Sequence, residues 1–437
     1  MDSPLTIDPR MRAQGTMIVT WLERDLLPNG LVAEAALSLI SGYPGRLFKL
    51  AIPWLTGRLE SAVTDANINY PLLPWRADAI ERLRALKQEG ARLVLASKGP
   101  THLAEDATRH LELFDEVVGG IADERTLAAR HPNLADAGQP GIPAVPLAQT
   151  LRAAIKALRP HQWVKNVLVF VPLVVSGQIY DANGWMLAGL AFIAFSLAAS
   201  SIYVLNDLSD LEADRMHARK RRRPLASGTL PIAWGMWLWP ALLFAGLGIG
   251  ALAGGIFFVG LYALMSMTYS LDLKKRPLFD VFALAALYTV RIYGGGEMTG
   301  HSPSVWLLAF SVFIFLGLAL MKRMAELLAT KTEKLKRRGY KQIDQPLLMA
   351  AGVACSFGAS VVLALYLDSN EVAQVYAHPI RLWIILPLML FWQLRLWYKT
   401  LHGHMTDDPI VYAAKDRISW IVGGLTAAAA LAAGIAG

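Results

Sequence analysis

The chain has 437 residues, 54% of them hydrophobic, with 13 Trp, a mean hydropathy of +0.38 and a formal charge of +8. Length alone would suit two or three soluble domains, but this apolar balance points instead to a membrane protein. Residues 1–148 hold 15 Lys and Arg against 18 Asp and Glu, and residues 149–437 hold 27 against 16, so the basic excess belongs to the apolar part and its anionic partners. Its cations lie in loops between apolar runs, which makes nucleic acid the weaker reading. The one cysteine, Cys355, excludes an intrachain disulfide.

In chain order, the opening MDSPLTIDPRMR has no apolar h-region, so no signal peptide is expected and the first part should stay cytoplasmic. Helical periodicity predicts a helix over Ala77–Gln88, a short strand over Arg92–Ala96 and an amphipathic stretch reaching Leu113, the pattern of a βα fragment in a small soluble α/β domain over residues 1–130. Residues 131–148 carry the Pro, Gly and Asp content of a linker.

Residues 149–437 form the second domain, an all-α polytopic one. Nine spans are predicted, at about 164–180, 185–206, 232–253, 255–271, 278–296, 304–322, 347–367, 380–397 and 418–436. The loops after the second, fourth, sixth and eighth hold the basic clusters 219–223, 274–276, 331–341 and 399–417. The alternate loops hold almost no Lys or Arg apart from Arg381. The positive-inside rule then places the basic loops and the first domain in the cytoplasm and the C-terminus outside.

The second span ends in a run of carboxylates. Asn206, Asp210 and Asp214 recur every four residues and Asp207 falls three before Asp210, so a continuous helix would present several oxygen ligands on one face. Carboxylates beside lipid need a reason, and a sparse set of this kind suits Mg²⁺, which is held by one or two carboxylates plus substrate phosphates. The cations Lys220, Arg221 and Arg223 follow directly. Four cytosolic groups combine Asp or Asn with Lys or Arg: residues 158–166, 206–228, 269–280 and 407–417. Such a rim would bind a soluble phosphorylated donor while an apolar acceptor enters from the bilayer.

The pattern N-D-x-x-D-x-x-x-D at 206–214 with R-P-L-x-S-G at 223–228 resembles the UbiA superfamily of intramembrane prenyltransferases over about residues 151–437. L-R-P-x-Q-W-x-K-N at 158–166, the run from His217 to Pro224, and K-R-x-x-E-L at 322–327 look like the branch containing decaprenyl-phosphate phosphoribosyltransferase. The resemblance implies a UbiA-like fold in a bacterial inner membrane. It also implies Mg²⁺-dependent transfer of a 5-phosphoribosyl group from phosphoribosyl diphosphate to a polyprenyl phosphate.

On that reading Asp207, Asp210 and Asp214 hold metal and diphosphate, with Asn206 beside them, and Lys220, Arg221 and Arg223 hold phosphates. Asp207, Asp210 and Lys165 are the expected catalytic set. Lys165, Asn166 and Lys274 complete the donor site, while Asp280 serves a second metal or the ribose hydroxyls. The superfamily's second pair of acids four apart is missing: Asp272 and Asp280 are eight apart with three basic residues between, which favours a donor other than prenyl diphosphate.

Residues 1–130 resemble a degenerate haloacid-dehalogenase-like domain. Asp8 stands where its nucleophile would be and Ser97 where its phosphate-binding hydroxyl would be, with Arg10 in place of the second acid. The remaining acid and Lys are missing, so a relic without activity is expected.

Plainer readings stand beside these. Asp210, Asp214 and the Arg run also fit a solvated loop, and 274–276 fits simple anchoring. Arg291, deep in the fifth span, needs a cavity or a partner such as Glu297. Lys322, Arg323 and Glu326 suit either a helix-end ion cluster or a lipid-phosphate site, and His217 is kept as a binding candidate. Prenyl transfer to an aromatic or other small acceptor is the nearest alternative function. A carrier for phosphorylated solutes is another, disfavoured because the carboxylate motif has no second copy. Membrane lipid is the expected surrounding, and a homo-oligomer is compatible with the sequence.

Overall fold

The computed structural model describes residues 17–27, 29–40, 66, 68–134, 140, 145–329, 339–405 and 408–434. Asp8, Arg10, much of the linker and most of 331–341 lie outside them. The chain divides into two compact units: Met1–Leu158 with Tyr203–Trp239, and Arg159–Ile202 with Pro240–Gly437. The first unit thus runs past the expected division near residue 148 to Leu158 and takes in Tyr203–Trp239 as well. The segment that follows the carboxylates belongs with them.

The first unit is built on three parallel strands in the order β1 (Met17–Trp21), β2 (Arg92–Ala96), β3 (Glu116–Val118), with Ile18 opposite Leu93 and Leu95 opposite Val117. Alternation along the strands fills two apolar layers. Ile18, Leu93 and Leu95 pack with Leu22, Leu26 and Leu31 on one face, and Val19, Trp21, Val94 and Ala96 with Ile121 and Leu127 on the other. The helix Ala77–Gln88 falls where its periodicity predicts it, burying Ala79, Leu83 and Leu86 at four- and three-residue spacing. A three-stranded sheet of this size makes a small α/β unit; a haloacid-dehalogenase-like fold is not shown by it.

Ser97, just after β2, is committed locally. Its hydroxyl donates to Glu23 Oε1 at 2.6 Å, and that oxygen also accepts from the backbone N–H groups of Lys98 (3.0 Å) and Gly99 (3.4 Å). The three donors that could cradle a phosphate are satisfied by a carboxylate of the chain itself.

Among the described residues, five helices are long and apolar enough to cross a membrane: Ala182–Ser209, Ile232–Leu252, Val305–Leu328, Gln342–Leu367 and Pro379–Leu401. Two shorter apolar helices, Ile256–Leu271 and Arg417–Ala433, and the helix Phe279–Thr299 occupy three more of the expected positions. Nine complete spans are thus more than the described residues show. The first departs most. Residues 164–180 are no regular helix but the end of a 3₁₀ helix, Pro160–Phe170, followed by the five-residue helix Val171–Val175 and a turn. Its proline-started segments and buried Lys165 and Asn166 explain this, because those two side chains turn into the protein.

Small residues bring the second unit's elements together. A Cβ on Gly295 would stand 2.3 Å from the Val169 carbonyl oxygen, so only glycine lets the helix Phe279–Thr299 meet the 3₁₀ segment. Gly352 likewise lies flat against the Trp397 ring. Polar side chains then fasten the 3₁₀ segment: Trp163 donates to Ser200, and Asn166 donates to Ser196.

Gly295→Val is therefore expected to lower the thermal-unfolding midpoint of detergent-purified protein, an overpacking cost of about 1–3 kcal/mol or more. Gly189→Ala, whose Cβ would meet nothing within 4 Å, should leave it unchanged. Equal midpoints for the two variants would contradict this packing.

Candidate active site

The carboxylate run does not sit on one straight helix. Ala182–Ser209 ends just before Asp210, whose φ and ψ of −100° and 13° turn the chain into the short helix Leu211–Met216. Backbone continuity survives the break, since Asp210 N–H donates to the Asn206 carbonyl (2.9 Å) and Asp214 N–H to that of Asp210 (2.8 Å). Two acids of the run are brought to a common partner. Asp207 and Asp214, both buried, receive the same Arg223 Nη1, at 3.0 Å on Asp207 Oδ1 and 2.5 Å on Asp214 Oδ2. Asn206 and Asp210 are half-buried.

The basic run is divided in role. Arg223 is the bridging cation, and Lys220 Nζ stands 3.8 Å from Asp214 Oδ1. Arg221 is exposed. His217 is exposed as well, and its Nδ1 accepts from the backbone N–H groups of Arg219 and Lys220, at 3.2 and 3.5 Å, which shapes the loop.

Among the described residues no three His, Cys, Asp or Glu stand together as a closed metal cage. The donor set nevertheless fits Mg²⁺ as phosphate enzymes use it. Two buried carboxylates aim at a single cationic atom, and one or two carboxylates with substrate phosphates suffice. Asp207 and Asp214, with Asp210 between them in sequence, are the residues that would hold it.

The second unit gathers its own group. Asp408 begins the helix Pro409–Lys415, accepting from Ile410 N–H through Oδ1 (3.2 Å), while its Oδ2 accepts from Lys165 Nζ and Lys322 Nζ, each at 2.9 Å. Two ammonium groups from positions 165 and 322 thus share one carboxylate oxygen. Burial opposes ionisation of Asp408, yet the charges and hydrogen bonds of the two lysines outweigh it and hold the carboxyl well below its ordinary value. Sequence reading marked the run 407–417 without singling out Asp408. The usable signal was Asp408 directly before Pro409, the pattern of a helix N-cap.

Asn166 and Arg291 do meet. Asn166 Oδ1 accepts from Arg291 Nε at 2.7 Å, and Arg291 also donates to Tyr262 OH (2.8 Å) while lying 4.4 Å over the Tyr262 ring. Arg291 is therefore partnered by neutral groups rather than by Glu297, whose Oε1 accepts from Ser302. Tyr and Asn dipoles replace a counter-ion in an apolar interior.

Asp280 and Arg323 depart from a substrate role. Their side chains are fully buried and pair with each other. Tyr340 OH donates to Asp280 Oδ1 at 2.7 Å, and Arg323 is further held by Tyr269 and Glu326. Each Asp280 oxygen thus accepts from a side chain of the protein, Oδ2 from Arg323 and Oδ1 from Tyr340, and these contacts tie the helix Phe279–Thr299 to the helix Val305–Leu328. Lys274 is half-buried on the 3₁₀ turn Leu273–Lys275, where Asp272 and Arg276 form an exposed ion pair.

The sequence profile of the UbiA prenyltransferase family matches residues 168–412. The chain is 30% identical to the uncharacterized protein y4nM of Sinorhizobium fredii (strain NBRC 101917 / NGR234), over 93% of this chain and 89% of that one. It is 32% identical to a decaprenyl-phosphate phosphoribosyltransferase of Mycolicibacterium smegmatis, over 61% of this chain and 88% of that one. Among solved structures, a UbiA homolog from Archaeoglobus fulgidus bound to GPP and Mg²⁺ is similar with a TM-score of 0.49 at 16% identity, covering 64% of this chain and 99% of that one.

Asp408 is open to titration. Because its folded carboxyl lies below the ordinary value of 3.8, its contribution to stability is complete above that value and is lost as pH falls through the depressed folded one. Asp408→Asn should cost about 3 kcal/mol at pH 7, as expected for removing one partner of a buried ion cluster. It should also remove that part of the acid dependence. Thermal midpoints followed from pH 7 to well below pH 3.8 decide, and coincident profiles for wild type and variant would refute the cluster.

Proposed function

Since the chain belongs to the UbiA prenyltransferase family and is a membrane-embedded transferase, we propose that it moves a 5-phosphoribosyl group from phosphoribosyl diphosphate to a polyprenyl phosphate. The observation that carries this choice is the second cationic centre, Lys165 and Lys322 on the single carboxylate of Asp408. A prenyl diphosphate brings one anionic group to be recognised. Phosphoribosyl diphosphate brings a 5-phosphate as well, and the acceptor a further phosphate, so more than one anionic group has to be recognised.

In this reading Asp207, Asp210 and Asp214 hold Mg²⁺ and through it the diphosphate, at the cytoplasmic face of a bacterial inner membrane. Bound Mg²⁺ supplies charge stabilisation for the departing diphosphate. Arg223 and Lys220 hold phosphate oxygens of the donor, with Arg221 and His217 at the edge of the same loop. Lys165 and Lys322 hold the remaining phosphates, Asn166 and Arg291 fix the 3₁₀ segment that carries Lys165, and Lys274 completes the donor's cationic surroundings. An acceptor phosphate oxygen attacks the anomeric carbon, and the bond to diphosphate breaks. That oxygen is already ionised near neutral pH, so the chain needs no strong general base.

The second reading is prenyl transfer from a prenyl diphosphate to a small acceptor. It is favoured by the family's own chemistry and uses the same carboxylates.

Purified protein with Mg²⁺, labelled phosphoribosyl diphosphate and polyprenyl phosphate is expected to yield labelled lipid. Label incorporated only when prenyl diphosphate meets an aromatic acceptor would establish the second reading instead. Asp207→Asn or Asp210→Asn should reduce turnover by at least about 100-fold, the scale seen when a principal electrostatic stabiliser is lost. Both variants should elute as folded protein. Unchanged turnover in both would sink the metal assignment.

A further inference from the structure

The first unit joins the N-terminal α/β part to the carboxylate loop through two side chains. Glu34, on the helix Leu31–Ile40, is buried with both oxygens engaged. Arg215 Nη1 donates to Oε2 at 2.7 Å and Nη2 to Oε1 at 2.8 Å, a two-pronged contact, and Asn29 Nδ2 donates to Oε1 at 2.7 Å. Asn29 then accepts through Oδ1 from the N–H of Ile232, the first residue of the helix Ile232–Leu252, at 2.9 Å. Arg215 Nε reaches the Ala226 carbonyl at 3.3 Å. One carboxylate and one amide of the N-terminal part therefore secure the start, middle and end of the segment that runs from Asp210 to the next long helix. Gly228, at φ +74°, lets the same segment press against Pro74, where a Cβ would come within 2.8 Å.

Arg215 is the direct neighbour of Asp214 on a helix of only six residues. So short a helix has little stability of its own, and its orientation must be imposed from outside. Adjacent residues point in different directions, so Glu34 holds one side of the helix while Asp214 faces Arg223 on another. A buried ion pair is a poor source of net stability against an apolar pair of equal volume but a good source of fixed geometry.

We infer that Glu34 is a positioning residue for the Asp214–Arg223 site: through Arg215 it sets the rotation of the helix Leu211–Met216, and so the N-terminal α/β part tunes binding of magnesium diphosphate. This rests on the anion-binding role given to the carboxylate loop above. It gives the N-terminal part a task that needs no chemistry of its own.

The test uses the full chain in detergent, with Mg²⁺ and labelled inorganic diphosphate as the probe, and amide hydrogen exchange over 211–216 as a second readout. Glu34→Gln should weaken diphosphate binding about tenfold and speed exchange in 211–216. Asp115→Asn, which breaks the Lys87–Asp115 pair elsewhere in the α/β part, should leave binding at the wild-type level. If Glu34→Gln is not recovered folded, Arg215→Lys decides in its place, with an expected loss of about threefold. Wild-type affinity in the Glu34 variant, or an equal loss in Asp115→Asn, would overturn the inference while leaving the site intact. Wild-type protein that binds no diphosphate with Mg²⁺ would overturn the site assignment and the inference together.

Discussion

Two buried carboxylates and one guanidinium, Asp207, Asp214 and Arg223, set the terms for the first unit. A charge removed from water must be paired, and two anions in one place must share their cation. That requirement bends the chain back after the helix Leu211–Met216 so that Arg223 can return to its acids. The local folding of residues 203–239 follows from this pairing more than from helix propensity.

The second unit meets the same problem with different means. Arg291 is surrounded by an amide, two aromatic rings and a backbone carbonyl, Asp280 and Arg323 neutralise each other, and Asp408 divides itself between two lysines. Each arrangement ties together segments distant in the chain, and the residue types alone do not reveal which one a buried charge will use.

Much of the fold was legible because periodicity is local. The helix Ala77–Gln88, the strand Arg92–Ala96 and the five long apolar helices follow from spacing and hydropathy. The first span was misread for a physical reason: residues 164–180 are apolar enough to span, but buried Lys165 and Asn166 and the prolines make them a 3₁₀ segment facing protein. The acids of the carboxylate run and Arg223 are visible in the sequence, whereas the turn at Asp210 and the pairing of positions 207 and 214 through Arg223 are not. Asp280 read as a ligand because it is acidic and near basic residues. Its actual partners, Arg323 and Tyr340, lie 43 and 60 residues away, beyond any local pattern. Glu34 escaped for the same reason, since its contact with Arg215 spans 181 residues.

The carboxylate of Glu23 in the cradle of Ser97, Lys98 and Gly99 has a consequence for evolution. A turn whose donors are satisfied by a side chain of the same chain stays ordered without any ligand, so keeping it needs no selection for binding. What remains under selection is shape, and an α/β body kept for its shape can be fitted to a neighbouring loop by surface substitutions alone. An α/β body of this kind can serve as an internal brace without any chemistry of its own.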